Sequence, residues 1–359
     1  MAAPEILSDV ERAAGATLRS YDGVELPERF HDPVDEACAV RREAGLFDLG
    51  FRVRLRFSGP DRADFLHNLL SNDVRSLRPG GGCYATILTR ESRVIADTNV
   101  VCAEEDILLD VDVRLRDRAR SHLEQYLIAD DVEIEDRTAA EATLGVHGPR
   151  SEEMLRSAVG GDELPSSELG HRPAAIAGIP VRVVRVHWTG EPGFDVWVPL
   201  GDAAKVWRTL EAGGARAAGT TAFEALRMEA GLPLVGIDVD ESHLVLEAGL
   251  ERGVHFRKGC YLGQEVVERQ SARGHVNRKL VGIRLEGAAV PPSGAKVVTD
   301  GKEIGHVTRA ILSPTLGRPI AFAWVRREAM VPGTKLVIEG GPDGIEAEVV
   351  KLPFHRGSR

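Results

Sequence analysis

Cysteine is scarce in this chain. Cys38, Cys83, Cys102 and Cys260 are the only four in 359 residues, and none falls in CxxC or CxxH spacing. That argues against a disulfide framework or a zinc ribbon, leaves no expected metal site, and fits a reducing cytoplasm. Long apolar runs are missing as well, so no membrane span is expected. The opening MAAPEILSDVERAAGATLRS has neither the basic segment nor the apolar run of a secretory signal. Positive charge is in deficit: 45 basic against 55 acidic residues leave a formal charge of −10. A general nucleic-acid binder needs a basic surface, so direct binding to nucleic acid is not expected. No Walker loop, GxGxxG, HExxH or GxSxG occurs, and nucleotide-dependent or serine-hydrolase chemistry has no support.

What is present is an ordinary globular composition, 43% apolar and 28% charged, on a chain too long for a single core. FRVRLRFSG alternates, with Phe51, Val53, Leu55 and Phe57 on one face and Arg52, Arg54 and Arg56 on the other. It reads as a half-solvated strand. DRADFLHNLLSNDV reads as a helix capped by Asp61. CYATILT and VIADTNVVC read as a hairpin, ILLDVDV as a further strand and RLRDRARSHLEQYLI as a charged helix. VRVVRVHW and FDVWVP flank the turn TGEPG. In TTAFEALRMEAGLP, Thr221 and Glu224 form a capping box, Gly231 suits the position after the helix and Pro233 stops it. From about Lys279 only short strands follow, with Asp300-Gly301 as a hairpin signal, which suggests a small antiparallel barrel.

The most pointed local signal is KGCYLGQEVV. A buried, inert cysteine in a glycine turn is a common arrangement. Against that, Lys258 and Arg257 put positive charge beside Cys260, a helix begins near Leu262–Gln264, and both features favour the reactive thiolate form of a cysteine. Asp97 interrupts an apolar strand and Asp195 leaves the TGEPG turn; either faces water or lines a cleft as hydrogen-bond acceptor or base. Arg227 is either a surface arginine or a fork for a carboxylate. His255 and His275 lack a second ligand at metal spacing, and RQSARGHVNRK reads as a solvated linker.

Six separated phrases, GVELPERF, RREAGLFDLG, FLHNLLSNDVRSLRPG, TGEPGFDVWVP, RMEAGLPLVG and GHVTRAILSPTLGRPIAFAWV, together resemble the folate-binding T-protein (aminomethyltransferase) superfamily. Within it, Lys258, Gly259, Cys260, Tyr261, Gly263, Gln264 and Glu265 match the Lys-Gly-Cys-aromatic-x-Gly-Gln-Glu signature of the YgfZ branch. The resemblance implies an α+β fold: a three-domain cloverleaf of two mixed α/β domains plus a C-terminal antiparallel β-barrel. A folate-binding body would span residues 1–275, with an inner domain at about 52–130 and an outer domain from the flanking segments, and the barrel 276–359. It implies tetrahydrofolate or a one-carbon derivative as cofactor. Tyr84, Asp97, Asp112, Asp195 and Arg227 would bind it, and Cys260 and Asp97 would act catalytically. Asp112 stands where an asparagine is usual and Asp195 where a glutamate is. The glycine pair and double aspartate of T-proteins are missing, and Ser92, Arg93 and Ala96 stand there. The YgfZ likeness implies a monomer that supports iron–sulfur proteins through the Cys260 loop, and through them tRNA modification. The alternative is an aminomethyltransferase or demethylase passing a one-carbon unit to tetrahydrofolate.

Overall fold

The computed structural model describes residues 6–340 and 344–357. Two mixed α/β units and a closed barrel make up the α+β fold. In the first sheet the order is Gly82–Leu88, Val94–Cys102, Ile107–Asp112, Arg52–Ser58, Glu133–Asp136, all antiparallel. Helix Arg62–Leu69 covers its apolar face, where Phe57, Phe65 and Leu109 join one core. Asp61 precedes this helix as expected but does not cap it; its Oδ2 accepts the N–H of Asp131 instead.

Alternation in FRVRLRFSG correctly separates two faces, but the arginine face is not solvated. Arg52 and Arg54 are buried, and only Arg56 reaches the surface. Arg54 donates to Glu141 Oε2 at 3.0 Å and to Thr143 Oγ1, both on a strand of the second sheet. Period two shows that the faces differ in polarity; a second sheet then decides which of them is wet.

That second sheet runs His171–Ile176, Ile179–Val186, Gly193–Pro199, Glu141–His147, Gly45–Asp48, Arg216–Ala217. Helices Ser151–Ala158 and Ala203–Ala212 pack on it through Leu155, Val206, Trp207 and Leu210. The barrel closes as Arg278–Leu285, Arg318–Arg326, Lys302–Ser313, Lys296–Thr299, Lys335–Ile338, Ile345–Val350, with the last strand pairing back to the first. Asp300 and Gly301 have φ of 48° and 74°, the left-handed pair that a two-residue hairpin turn requires. Among the described residues no helix is long and apolar enough to cross a membrane.

Helix Thr220–Glu229 sits where these units meet. The expected capping box does not form: Gly219 is the N-cap, and Thr221 already lies in the first turn. Close approach of another segment explains the substitution. A Cβ on residue 219 would lie 2.3 Å from the carbonyl oxygen of Glu28, so no serine or threonine fits there. Instead the N–H of Gly219 donates to Glu36 Oε2 at 2.8 Å. Gly231 does take the turn after the helix, with φ of 73°.

Candidate functional site

The loop between strands Ile179–Val186 and Gly193–Pro199 carries Trp188 into the interior. The guanidinium carbons of Arg52 and Arg227 lie 5.0 and 5.1 Å from its ring centroid, within cation–π range. Its indole N–H donates to Asp195 Oδ2 at 3.0 Å. The second oxygen of Asp195 accepts no hydrogen bond among the described residues and stands 3.7 Å from His147 Nε2. Room for that imidazole depends on Gly193, because a Cβ there would fall 2.1 Å from His147 Nδ1.

Around this indole the buried polar groups come from several elements. Tyr84, on the first hairpin, donates its hydroxyl to Asp97 Oδ2 across the strand pair at 3.0 Å, and Asp97 is only 4% exposed. Burial and the neighbouring carboxylate push the Tyr84 phenol up, so it remains a donor. Arg52 forks onto Asp110 at 3.2 and 3.0 Å, and Asn99 Nδ2 completes that carboxylate at 3.1 Å. Burial pushes the Asp110 carboxyl up, and Arg52 offsets part of that rise.

Arg227 is 3% exposed, and its Nη2 donates to the carbonyl of Pro233 at 3.1 Å. Among the described residues its Nε and Nη1 donors have no acceptor. Burial lowers its pKa, while the charge of Asp97 works against that lowering. Tyr84, Asp97, Asp195 and Arg227 therefore gather in one interior region around Trp188.

Asp112 is placed differently. It caps helix Val113–Glu124 through the N–H of Arg114, forks with the Arg114 guanidinium at 2.9 and 2.8 Å, and accepts the hydroxyl of Tyr21 at 3.2 Å. Its oxygens are occupied by the protein.

The KGCYLGQE motif forms a surface turn. Cys260 is exposed, as is Glu265, which pairs with Arg269 at 2.7 Å. The other motif residues build the turn. Gly259 and Gly263 have φ of 97° and 88°, Tyr261 is buried, and Gln264 accepts the N–H of Tyr261 at 3.2 Å. Lys258 donates to the carbonyl of His67 and lies 4.9 Å over the Tyr261 ring. Burial draws the Lys258 pKa down to about 8. Arg257 is exposed, and the helix N-terminus is Gln264.

Ser92 links this turn to the Asp97 hairpin. It adopts a left-handed backbone, with φ of 61°, and its hydroxyl donates to the carbonyl of Gly263 at 2.5 Å. Upstream, Gly253 packs against the Tyr84 ring, where a Cβ would meet it at 3.0 Å. One chain segment thus runs from the buried tyrosine to the exposed thiol.

Residues 7–258 match the family described as GCVT N-terminal domain, and residues 278–355 that described as Glycine cleavage T-protein C-terminal barrel domain. The chain belongs to the glycine cleavage T-protein family. An aminomethyltransferase of Rubrobacter xylanophilus is 35% identical over 354 residues, covering 98% of this chain and 94% of the relative. One from a Nostoc strain is 33% identical, covering 96% and 93%. A solved structure, the glycine cleavage system aminomethyltransferase T of Bartonella henselae, shares the fold, with a TM-score of 0.89 over 98% of this chain and 97% of that one at 24% identity. The Cys260 turn falls between the two matched T-protein segments, which end at 258 and resume at 278.

The sequence missed Arg52, Trp188, His147 and Asn99 as members of this site. Arg52 looked solvated, and Trp188 and Asn99 sit in strand-like stretches with no chemical signature. Only Gly193 hinted at His147, through the close approach that a glycine permits.

Proposed function

We propose that this T-protein family member binds tetrahydrofolate at the buried Tyr84–Asp97–Trp188–Asp195–Arg227 cluster and passes a one-carbon unit to it. Its named relatives support transfer in preference to a purely structural role. The observation that carries the reading is Arg227: a buried guanidinium with two donor nitrogens unsatisfied among the described residues, beside a buried aspartate. Leaving such donors unpaired costs about 1–3 kcal/mol, which an anionic ligand would offset. Asp195 has a free oxygen for ring N–H donors, Trp188 and Tyr84 give flat walls, and Arg227 can take a carboxylate or carbonyl. The residues present fit the group. When bound, reduced folate supplies the nitrogen that accepts the one-carbon unit. Asp97 acts as proton acceptor there, with one of its oxygens fixed by the Tyr84 hydroxyl and the other open to the ligand. In this reading residues 1–275 form the folate body, including an inner unit at about 52–130, and residues 276–359 the barrel.

Calorimetry with tetrahydrofolate should give a saturable heat, and Arg227→Ala should weaken it about tenfold or more, the value of a charge-assisted bond. Incubation with aminomethylated carrier protein and tetrahydrofolate should form methylene-folate at an enzymatic rate. No saturable heat in the wild type would end this reading.

A second reading rests on Cys260. Its exposure in a glycine-flanked turn, with the YgfZ-like motif around it, supports a role in maintaining iron–sulfur proteins, including those that modify tRNA. Replacing Cys260 with alanine should leave the folate heat unchanged and lower the activity of cluster-dependent enzymes in cells. Unaltered cluster enzymes would remove that role.

A further inference from the structure

We infer that Arg309, on the barrel, is a second ligand-binding guanidinium, and that with Arg227 it grips an anionic tail carrying two carboxylates. The inference rests on the folate reading above and adds to it a residue from the third unit of the fold.

The geometry begins with a β-bulge. Strand Lys302–Ser313 slips register against Arg318–Arg326 between Val307 and Arg309, so Thr308 is the extra residue. A bulge re-aims side chains, and here it turns two consecutive ones toward the same partner. Thr308 Oγ1 donates to Asp238 Oδ1 at 2.7 Å, and Arg309 Nη2 donates to Asp238 Oδ2 at 2.7 Å. Asp238 closes the turn that follows helix Thr220–Glu229. Its Oδ2 also accepts the N–H of Leu234 at 2.8 Å, and the preceding residue, Pro233, accepts Arg227 Nη2. One short turn therefore holds both guanidiniums, Arg227 through a carbonyl and Arg309 through a carboxylate.

Each is held by one edge only. Arg309 side-chain exposure is 13%, yet its Nε and Nη1 are buried and have no acceptor among the described residues, the same two donor atoms that Arg227 leaves open. Their charges are close enough to oppose one another, and Arg309 helps to lower the Arg227 pKa. Four buried donor nitrogens on two like charges, with both oxygens of Asp238 already engaged, call for an incoming anion with more than one acceptor group. A glutamate tail has two carboxylates, and each guanidinium has open donors for one of them.

The test compares two ligands that differ only in that tail, tetrahydrofolate and tetrahydropteroate, by calorimetry on the full-length chain. Arg309→Gln should weaken tetrahydrofolate about tenfold or more while leaving tetrahydropteroate within about twofold. Arg309→Lys keeps the charge opposite Asp238 and should give an intermediate loss. It also serves if the glutamine variant fails to fold. Equal losses on both ligands, or no loss on tetrahydrofolate, would make Arg309 a purely structural partner of Asp238 and overturn the inference. A wild type that binds neither ligand would overturn the folate reading itself, a result distinct from both.

Discussion

Replacing Asp97 with asparagine is expected to lower the rate of one-carbon transfer by roughly 10²–10⁴-fold, the range for losing a positioned general base. The amide is isosteric and its oxygen can still accept the Tyr84 hydroxyl, so the strand pairing and the hydrogen bond at 3.0 Å should survive. What disappears is the capacity to take a proton and the negative charge that faces two buried arginines. The charge of Asp97 acts on both Arg52 and Arg227. Part of the effect should therefore show as weaker folding stability, and a melting curve measures that part. Tyr84→Phe separates the contributions, because it removes only the hydrogen bond to Asp97 and should cost far less than the asparagine. Single-turnover rates with saturating tetrahydrofolate give the comparison without interference from binding. An Asp97→Asn protein that transfers at the wild-type rate would remove Asp97 from the chemistry.

The parts of the fold set by short-range rules were legible. Strand alternation, the Asp300-Gly301 turn, the glycine stop of the helix at residue 231 and the run of barrel strands all depend on neighbours a few residues apart. The helix start at 219 is not legible locally because it is set by Glu28, distant in sequence, and not by the local Thr221–Glu224 pair. The same distinction governs the site. Asp97 could be singled out because its charge interrupts an apolar strand and Asp195 because it leaves the TGEPG turn, while Arg227 gained its place through the family likeness. Arg52 could not, since a strand arginine beside water and one beside a second sheet look identical in sequence. Trp188 is an ordinary strand-end aromatic until folding sets Arg52 and Arg227 around it. The Cys260 turn shows the reverse: its motif was conspicuous, and the structure gives most of that motif to turn geometry, leaving the thiol and Glu265 facing outward.

Loss of Glu229 should be the most damaging change to stability in the region where the units join. The carboxylate is fully buried and gathers three segments. Arg41 Nη2 donates to it at 2.6 Å, Ser313 Oγ and the Thr315 N–H from the barrel side reach one oxygen, and Thr315 Oγ1 reaches the other at 2.6 Å. Arg41 continues the network to Glu191 at 2.9 Å and to the carbonyl of Thr189, on the loop that carries Trp188. Glu229→Ala leaves Arg41 and two hydroxyls without this acceptor, and breaking a buried pair on one side costs about 3–5 kcal/mol. The midpoint of urea unfolding should fall accordingly, and folate affinity should fall with it, since Arg227 lies on the same helix. Acid gives an independent check. Burial alone would raise the Glu229 carboxyl, but the hydrogen bonds from Arg41, Ser313 and Thr315 hold it below its ordinary value of 4.5. A carboxyl depressed in the folded state contributes stability that is complete above that ordinary value and is lost as pH falls through the folded one. The wild type should therefore lose stability on acidification below about pH 4.5, and Glu229→Gln should show a shallower acid limb from a lower starting point. If Glu229→Ala unfolds within about 1 kcal/mol of the wild type, the junction is held by packing and the network is not what fixes Arg227 in place.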